Sequence, residues 1–111
     1  MSPVPEFALR QVERWCAKKV PARLSDQIRV ECKRRGRSLT IVERHAPTPL
    51  LGPEWTEQKV AQLRLDEDGV WSVLWADRNG RWRSYPDAPQ ATQPVSLLEE
   101  IDSNPHGVFW G

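Results

Sequence analysis

The chain is poor in the residues from which metal and nucleophilic centres are built. Among its 111 residues there are two cysteines, two histidines and one methionine. Cys16 and Cys32 fall on the apolar faces of a predicted helix and a predicted strand, so they read as buried reduced thiols rather than as a disulfide. Cys16, Cys32, His45 and His106 are ligand types for zinc, but their spacing matches no paired zinc motif. Glycine is confined to turns with no phosphate-cradling run, and no serine or cysteine stands in a nucleophile context, so neither a cofactor nor a metal is expected. No apolar run approaches the roughly 18 residues that span a bilayer. The start, Met1-Ser2-Pro3-Val4-Pro5-Glu6, lacks the basic and apolar regions of a secretory leader, which points to a cytoplasmic chain without a membrane partner. One domain, residues 1–111, is expected, long enough to bury roughly 60 to 70% of its unfolded surface without staples.

Acids and bases nearly cancel, with a formal net charge of +1, but they are not mixed evenly. Residues 10–37 hold ten Lys or Arg against three acids, whereas residues 38–111 hold six against eleven. One end of the molecule therefore favours an anionic partner while the remainder opposes it.

The region Val60 to Tyr85 reads as three strands joined at Asp68-Gly69 and Asn79-Gly80, both of which are hairpin-turn dipeptides. With those pairs as two-residue turns, Leu65, Leu63 and Ala61 oppose Ser72, Leu74 and Ala76. Asp66, Arg64 and Gln62 then oppose Trp71, Val73 and Trp75. The second turn puts Trp82 with Trp71 and Trp75 and sends Arg83 and Tyr85 to the aliphatic face. Upstream, Ile28, Val30 and Cys32 alternate with polar residues, and Leu39 and Ile41 continue the pattern. A turn at Arg35-Gly36 pairs Cys32 with Leu39 and Val30 with Ile41. Pro47, Pro49, Gly52 and Pro53 force a loop between the hairpin and the meander.

Two helices flank this sheet, the first expected on its aliphatic face and the second near the Trp-bearing face. Pro5 suits a first helical position, and Ala8, Leu9, Val12, Trp15 and Cys16 recur at helical spacing until a stop before Pro21. After the breakers Pro86, Pro89 and Pro94, Val95, Leu97, Leu98 and Ile101 form a short second helix ended by Asn104-Pro105. The apolar ending Val108-Phe109-Trp110 is expected to dock. The fold class is α+β: N-terminal helix, antiparallel meander sheet of about five strands, short C-terminal helix.

Three stretches, Val60-Ala61-Gln62-Leu63-Arg64, Trp75-Ala76-Asp77-Arg78-Asn79-Gly80-Arg81-Trp82 and Ile101 through Gly111, resemble a small bacterial family of domains of unknown function, DUF3024. The resemblance runs from the first helix to the terminus and implies a stand-alone single-domain bacterial protein. It implies no activity, and it carries no functional residues over.

The residues themselves offer two candidate sites. Trp71, Trp75 and Trp82 beside Arg64 would form a stacking platform for bases or Arg-rich peptides, unless the second helix and the tail cover that face and make it core. Lys33, Arg34, Arg35 and Arg37 at a hairpin tip would follow a phosphate backbone, or else simply solvate and guard the hairpin. The best-supported expectation is a non-catalytic nucleic-acid-binding or regulatory module. The alternatives are a protein interaction module using the Trp face or the tail, and a small metal-dependent nuclease or hydrolase built on Glu31-Cys32-Lys33 and outward carboxylates such as Glu31 and Asp66. The nuclease reading lacks a second acid, because Thr40 and Val42 are the neighbours of that strand. Oligomeric state is left open.

Overall fold

The structure, a computed structural model, describes residues 4–85 and 91–110. It is α+β: helix α1 (Glu6–Ala17), a 3-10 turn (Ala22–Leu24), strands β1 (Ile28–Arg35), β2 (Ser38–His45), β3 (Thr56–Leu65), β4 (Trp71–Ala76) and β5 (Trp82–Ser84), and helix α2 (Val95–Ser103). The five strands form one antiparallel sheet in sequence order, a pure meander. Pro86 and Pro89 lie outside the described residues. Among the described residues no helix is long and apolar enough to cross a membrane.

Pro5 is the residue before the first helical turn rather than within it, its extended ψ of 139° launching α1 while its carbonyl accepts from Leu9 N. Ala8, Val12 and Cys16, spaced by four, form the buried stripe of α1, which packs on β1. Leu97, Leu98 and Ile101 turn α2 toward α1 and β4. Asn104, in the left-handed region at φ 45°, ends α2, and its Oδ1 accepts from Phe109 N at 3.1 Å. That bond folds the tail back: Phe109 is buried against Tyr85, and Trp110 Nε1 donates to the Ile101 carbonyl at 3.1 Å. The apolar ending is therefore docked on its own chain.

Turn chemistry sets the register. In the first hairpin the turn residues are Gly36 and Arg37, because Arg35 pairs with Ser38. Gly36 has φ +59° while Arg37 does not adopt a positive φ, the pattern of a type II′ turn with glycine first. The expected turn at Arg35-Gly36 is thus one residue early, and Cys32 pairs with Ile41 and Val30 with Glu43. This slip changes the pairing by two residues, so every side chain keeps its expected face.

The meander turns differ more. Asp66 N donates to the Val70 carbonyl, Gly69 N to the Asp66 carbonyl, and Asp66 Oδ1 accepts from Asp68 N and Val70 N. Asp77 repeats the pattern with Gly80, Asn79 and Arg81. Each is a three-residue loop closed by a left-handed glycine, with φ +78° at Gly69 and +76° at Gly80. An odd loop shifts the pairing by one: Leu65 opposes Trp71, Leu63 opposes Val73, and Ala76 opposes Trp82. The first shift inverts β4, and the second restores β5 to the expected orientation.

The consequence corrects the Trp face. Trp71, Val73 and Trp75 join Leu63, Leu65, Arg83 and Tyr85 on the face under the helices, whereas Trp82 stays with Arg64 on the other. Trp71 is only 2% exposed and belongs to the core, and Trp75 packs against it. A β-bulge opposite Ile41/Val42 lets both Val60 and Ala61 enter the same core. Arg83 tolerates the inner face at the sheet edge because its Nε donates to Asp77 Oδ2 at 2.8 Å and its side chain remains half exposed.

Truncating the two tryptophans separates the faces. Trp71→Ala is expected to cost about 3 to 5 kcal/mol in urea unfolding, as for a fully buried aromatic. Trp82→Ala is expected to cost under about 1.5 kcal/mol. Equal costs would contradict the inversion of β4.

Candidate nucleic-acid interface on the open sheet face

Both helices and the tail pack on one side of the sheet, α2 beside α1 rather than over the face of Arg64 and Trp82, so among the described residues the other side carries side chains of the sheet and of the loop that leads into β3. Alternation brings Arg29, Glu31, Lys33 and Arg35 of β1 to this open face with Arg44 of β2 and Glu57, Lys59 and Arg64 of β3. Six cations stand there against two carboxylates. Glu31 pairs with Arg44 at 3.6 Å and Glu57 with Lys33 at 2.5 Å. Arg29, Arg35, Lys59 and Arg64 have no carboxylate within ion-pair distance among the described residues.

Two half-buried tryptophans complete the surface. Arg29 lies 4.5 Å and Arg44 5.7 Å from the centre of the Trp55 ring. At the other end, Lys59 Nζ lies 5.5 Å from the Trp82 ring and donates to the Gly80 carbonyl at 2.7 Å. Between them Gln62 links Thr40 at 2.9 Å and Arg64 Nε at 2.7 Å. Val42 and Leu74 form the apolar floor, both buried although no helix lies over them. Register explains Val42: Lys33 opposes Thr40 and Glu57 opposes Arg44, so the Lys33–Glu57 bridge spans the position of Val42 between them.

The expected site residues are thus dispersed. Lys33, Arg35, Arg64 and Trp82 share the open face. Arg34 points to the opposite side and meets Glu6 at 3.7 Å. Arg37 is drawn inward, donating through Nη2 to the Asp66 carbonyl while its buried Nε finds no partner. Trp71 and Trp75 are on the helix side, and Trp75 Nε1 donates to the Ser84 carbonyl at 3.3 Å. Arg29, Arg44, Lys59 and Trp55 are the members that sequence reasoning missed. The alternation of Arg29 with Lys33 along β1 was visible, but Trp55 sits just before β3 at the end of a proline-rich loop, where no periodicity assigns it a face.

A family model described as Domain of unknown function (DUF3024) matches residues 1–111. The chain belongs to this family. No curated protein and no solved structure matches it. Function in this DUF3024 chain is therefore argued from its own surface.

Among the described residues no group of three or more His, Cys, Asp and Glu gathers as a metal site would require. Glu31 is engaged by Arg44, and Asp66 uses Oδ1 to hold its turn. Burial is the main cause that pushes the Cys16 and Cys32 thiols up to about 12 from their ordinary value, so neither is a thiolate near neutrality. Asp77 moves the other way: hydrogen bonds from Arg81 N and the Arg83 side chain hold its carboxyl below the usual range.

Cys16 is buried whereas Cys32, expected to be buried too, is only partly so. Two measurements follow. Iodoacetamide at pH 8 is expected to label both far more slowly in the native protein than in denaturant, Cys16 the slower; native labelling as fast as in denaturant would contradict the desolvation of the thiols. Because the folded pKa of Asp77 is lowered, its stabilising contribution is present above the unfolded value of about 3.9 and is lost as pH falls through the folded one. Asp77→Asn should therefore lower the Tm at pH 6, with the deficit shrinking as pH falls below the unfolded value and through the folded one. A deficit independent of pH would assign the effect to the turn geometry alone.

Proposed function

We propose that this chain is a non-catalytic module that binds single-stranded nucleic acid across its open sheet face. The observation that carries the reading is the face itself, which has a surplus of four cations and a tryptophan at each end. An exposed indole offers a stacking surface to any base, at about 1 to 3 kcal/mol per base, and an extended cationic face follows the phosphates. A duplex keeps its bases stacked inside and cannot use such a surface, which favours the single strand. Arg29, Arg35, Lys59 and Arg64 are the phosphate partners, because no carboxylate competes for them. Trp82 and Trp55 are the stacking groups. Lys33 and Arg44 join only by exchanging their carboxylate partners. Arg34 and Arg37 are engaged elsewhere and lie outside this reading.

A second reading is a protein partner at the proline-rich turn. Leu50 is 97% exposed there, on a turn closed by bonds from Leu51 N and Gly52 N to the Thr48 carbonyl. Binding of that kind would be insensitive to the open-face cations.

Fluorescence anisotropy of labelled oligothymidylate and oligouridylate, measured between about 50 and 300 mM salt, separates the two. Each phosphate neutralised on a single strand contributes about −0.7 to the slope of log Kobs against log salt, so four contacts give roughly −3. Lys59→Glu with Arg64→Glu is expected to lower affinity more than tenfold and flatten the slope. Trp82→Leu should weaken binding by roughly 5- to 100-fold, the range of one stacked base, and Arg34→Ala should change little. Affinity unaltered by the first two variants would overturn the reading.

A further inference from the structure

The covered side of the sheet is not sealed at its far end. Where the chain passes from α1 to β1, a recess of about 340 Å³ remains, walled by Val20, Pro21, Leu24, Ile28 and Val30 and flanked by Trp110 of the tail. That volume is at the small end of the range for ligand pockets, enough for a molecule on the order of ten non-hydrogen atoms.

Three charged side chains reach the recess: Lys19, Asp102 and Glu43. Two of them neutralise each other. Asp102 holds Lys19 Nζ with one oxygen and accepts from Trp15 Nε1 at 3.0 Å with the other, and Lys19 lies 4.5 Å from the Trp15 ring centre. Glu43 has no Lys or Arg within ion-pair distance among the described residues. It stands opposite Val30 on the core face of β2, in line with Leu39 and Ile41, which are fully buried. Its side chain is 27% exposed, and among the described residues its ion-pair or hydrogen-bond contact runs from Oε1 to His45 Nε2 at 2.7 Å. A half-buried carboxylate at a position where the alternation calls for an apolar residue is costly unless a cation or water meets it.

We infer that this recess binds a small organic cation, an alkyl- or arylalkyl-ammonium. Its apolar body lies against Val20, Leu24 and Ile28, and its ammonium is placed between the Glu43 carboxylate and the Trp110 indole. With Lys19 and Asp102 paired, Glu43 is the charged group of the recess lining left without a Lys or Arg partner among the described residues; it attracts an ammonium and repels a carboxylate of the same shape. The site is on the opposite side of the sheet from the proposed nucleic-acid face, so the two readings stand or fall separately.

The test uses the ¹⁵N-labelled full chain and three probes of matched shape: 2-phenylethylamine, 2-phenylethanol and 3-phenylpropionate. The amine is expected to give saturable shifts at the Val30 and Glu43 amides and the Trp110 indole N–H, with at least tenfold higher affinity than the other two. Glu43→Gln should reduce amine affinity about tenfold and leave the alcohol unchanged. Leu24→Trp, which fills the recess, should abolish the shifts while the rest of the spectrum is preserved. Equal affinity for all three probes on the unmodified chain, absence of saturable amine binding, or shifts confined to other residues would overturn the inference without reference to either variant.

Discussion

The carboxylates of Asp66 and Asp77 govern the parity of the sheet. Each gathers two backbone N–H groups of its own turn and holds the chain in a loop of three residues closed by a left-handed glycine. An odd loop rather than an even one decides which alternate residues of β4 look inward. Trp71 and Val73 enter the core for that reason, and Leu74 and Ala76 are left on the open side. Had the Asp66 turn been a two-residue type I′, Trp71, the largest side chain of the core, would point to solvent; had the Asp77 turn been one, Tyr85 would leave the core instead. These acids at the sheet rim therefore shape the interior through geometry rather than through contact with it.

The element order, the antiparallel meander, the docking of the tail and the apolar stripe of α1 were all legible in the sequence, because they rest on periodicity and on breakers. Faces were legible only where errors of turn length were even. At Gly36 the turn begins with the glycine instead of ending with it, and the two-residue change in pairing costs nothing in orientation. At Gly69 the Asp-Gly dipeptide suggested a two-residue turn, yet the informative residue was the aspartate three positions before the glycine. Asp66…Gly69 and Asp77…Gly80 share that spacing, which marks an Asx-capped turn ending in a left-handed residue. Reading it would have put Trp71 in the core and kept Arg64 with Trp82. Of the candidate site, the cations on β1 followed from alternation. The contribution of Trp55 did not, because its position depends on how the proline-rich loop returns to the sheet.

A sheet covered on one side only must make its other side soluble without a second layer. Here long cationic side chains fill that role, with Lys33–Glu57 bridging above Val42 and Arg29 and Arg44 lying against Trp55. Exposed bridges of this kind stabilise by about 0 to 1 kcal/mol, so they can be exchanged for a phosphate at little cost. Arg29 and Arg44 over Trp55, and Lys59 beside Trp82, likewise meet the two rings with cations while both stay half-buried. The features that let the open face remain soluble are thus the ones that would let it receive a polyanion.

The uneven charge of the chain fits this division of labour. The acidic residues of the second half are spent largely in turns and on α2: Asp66 and Asp77 build loops, Asp102 pairs with Lys19, and Glu100 accepts from the Tyr85 hydroxyl at 2.8 Å. Each of these places a negative charge at the rim or on the helix side, away from the centre of the open face. The basic residues of β1 alternate, so Arg29, Lys33 and Arg35 point one way while Arg34 turns to Glu6. A chain that is almost neutral in total therefore presents a cationic sheet face and a helix side that holds the remaining acids. That separation follows from strand parity and turn chemistry alone, and it is the ground on which an anionic partner is proposed for the open face.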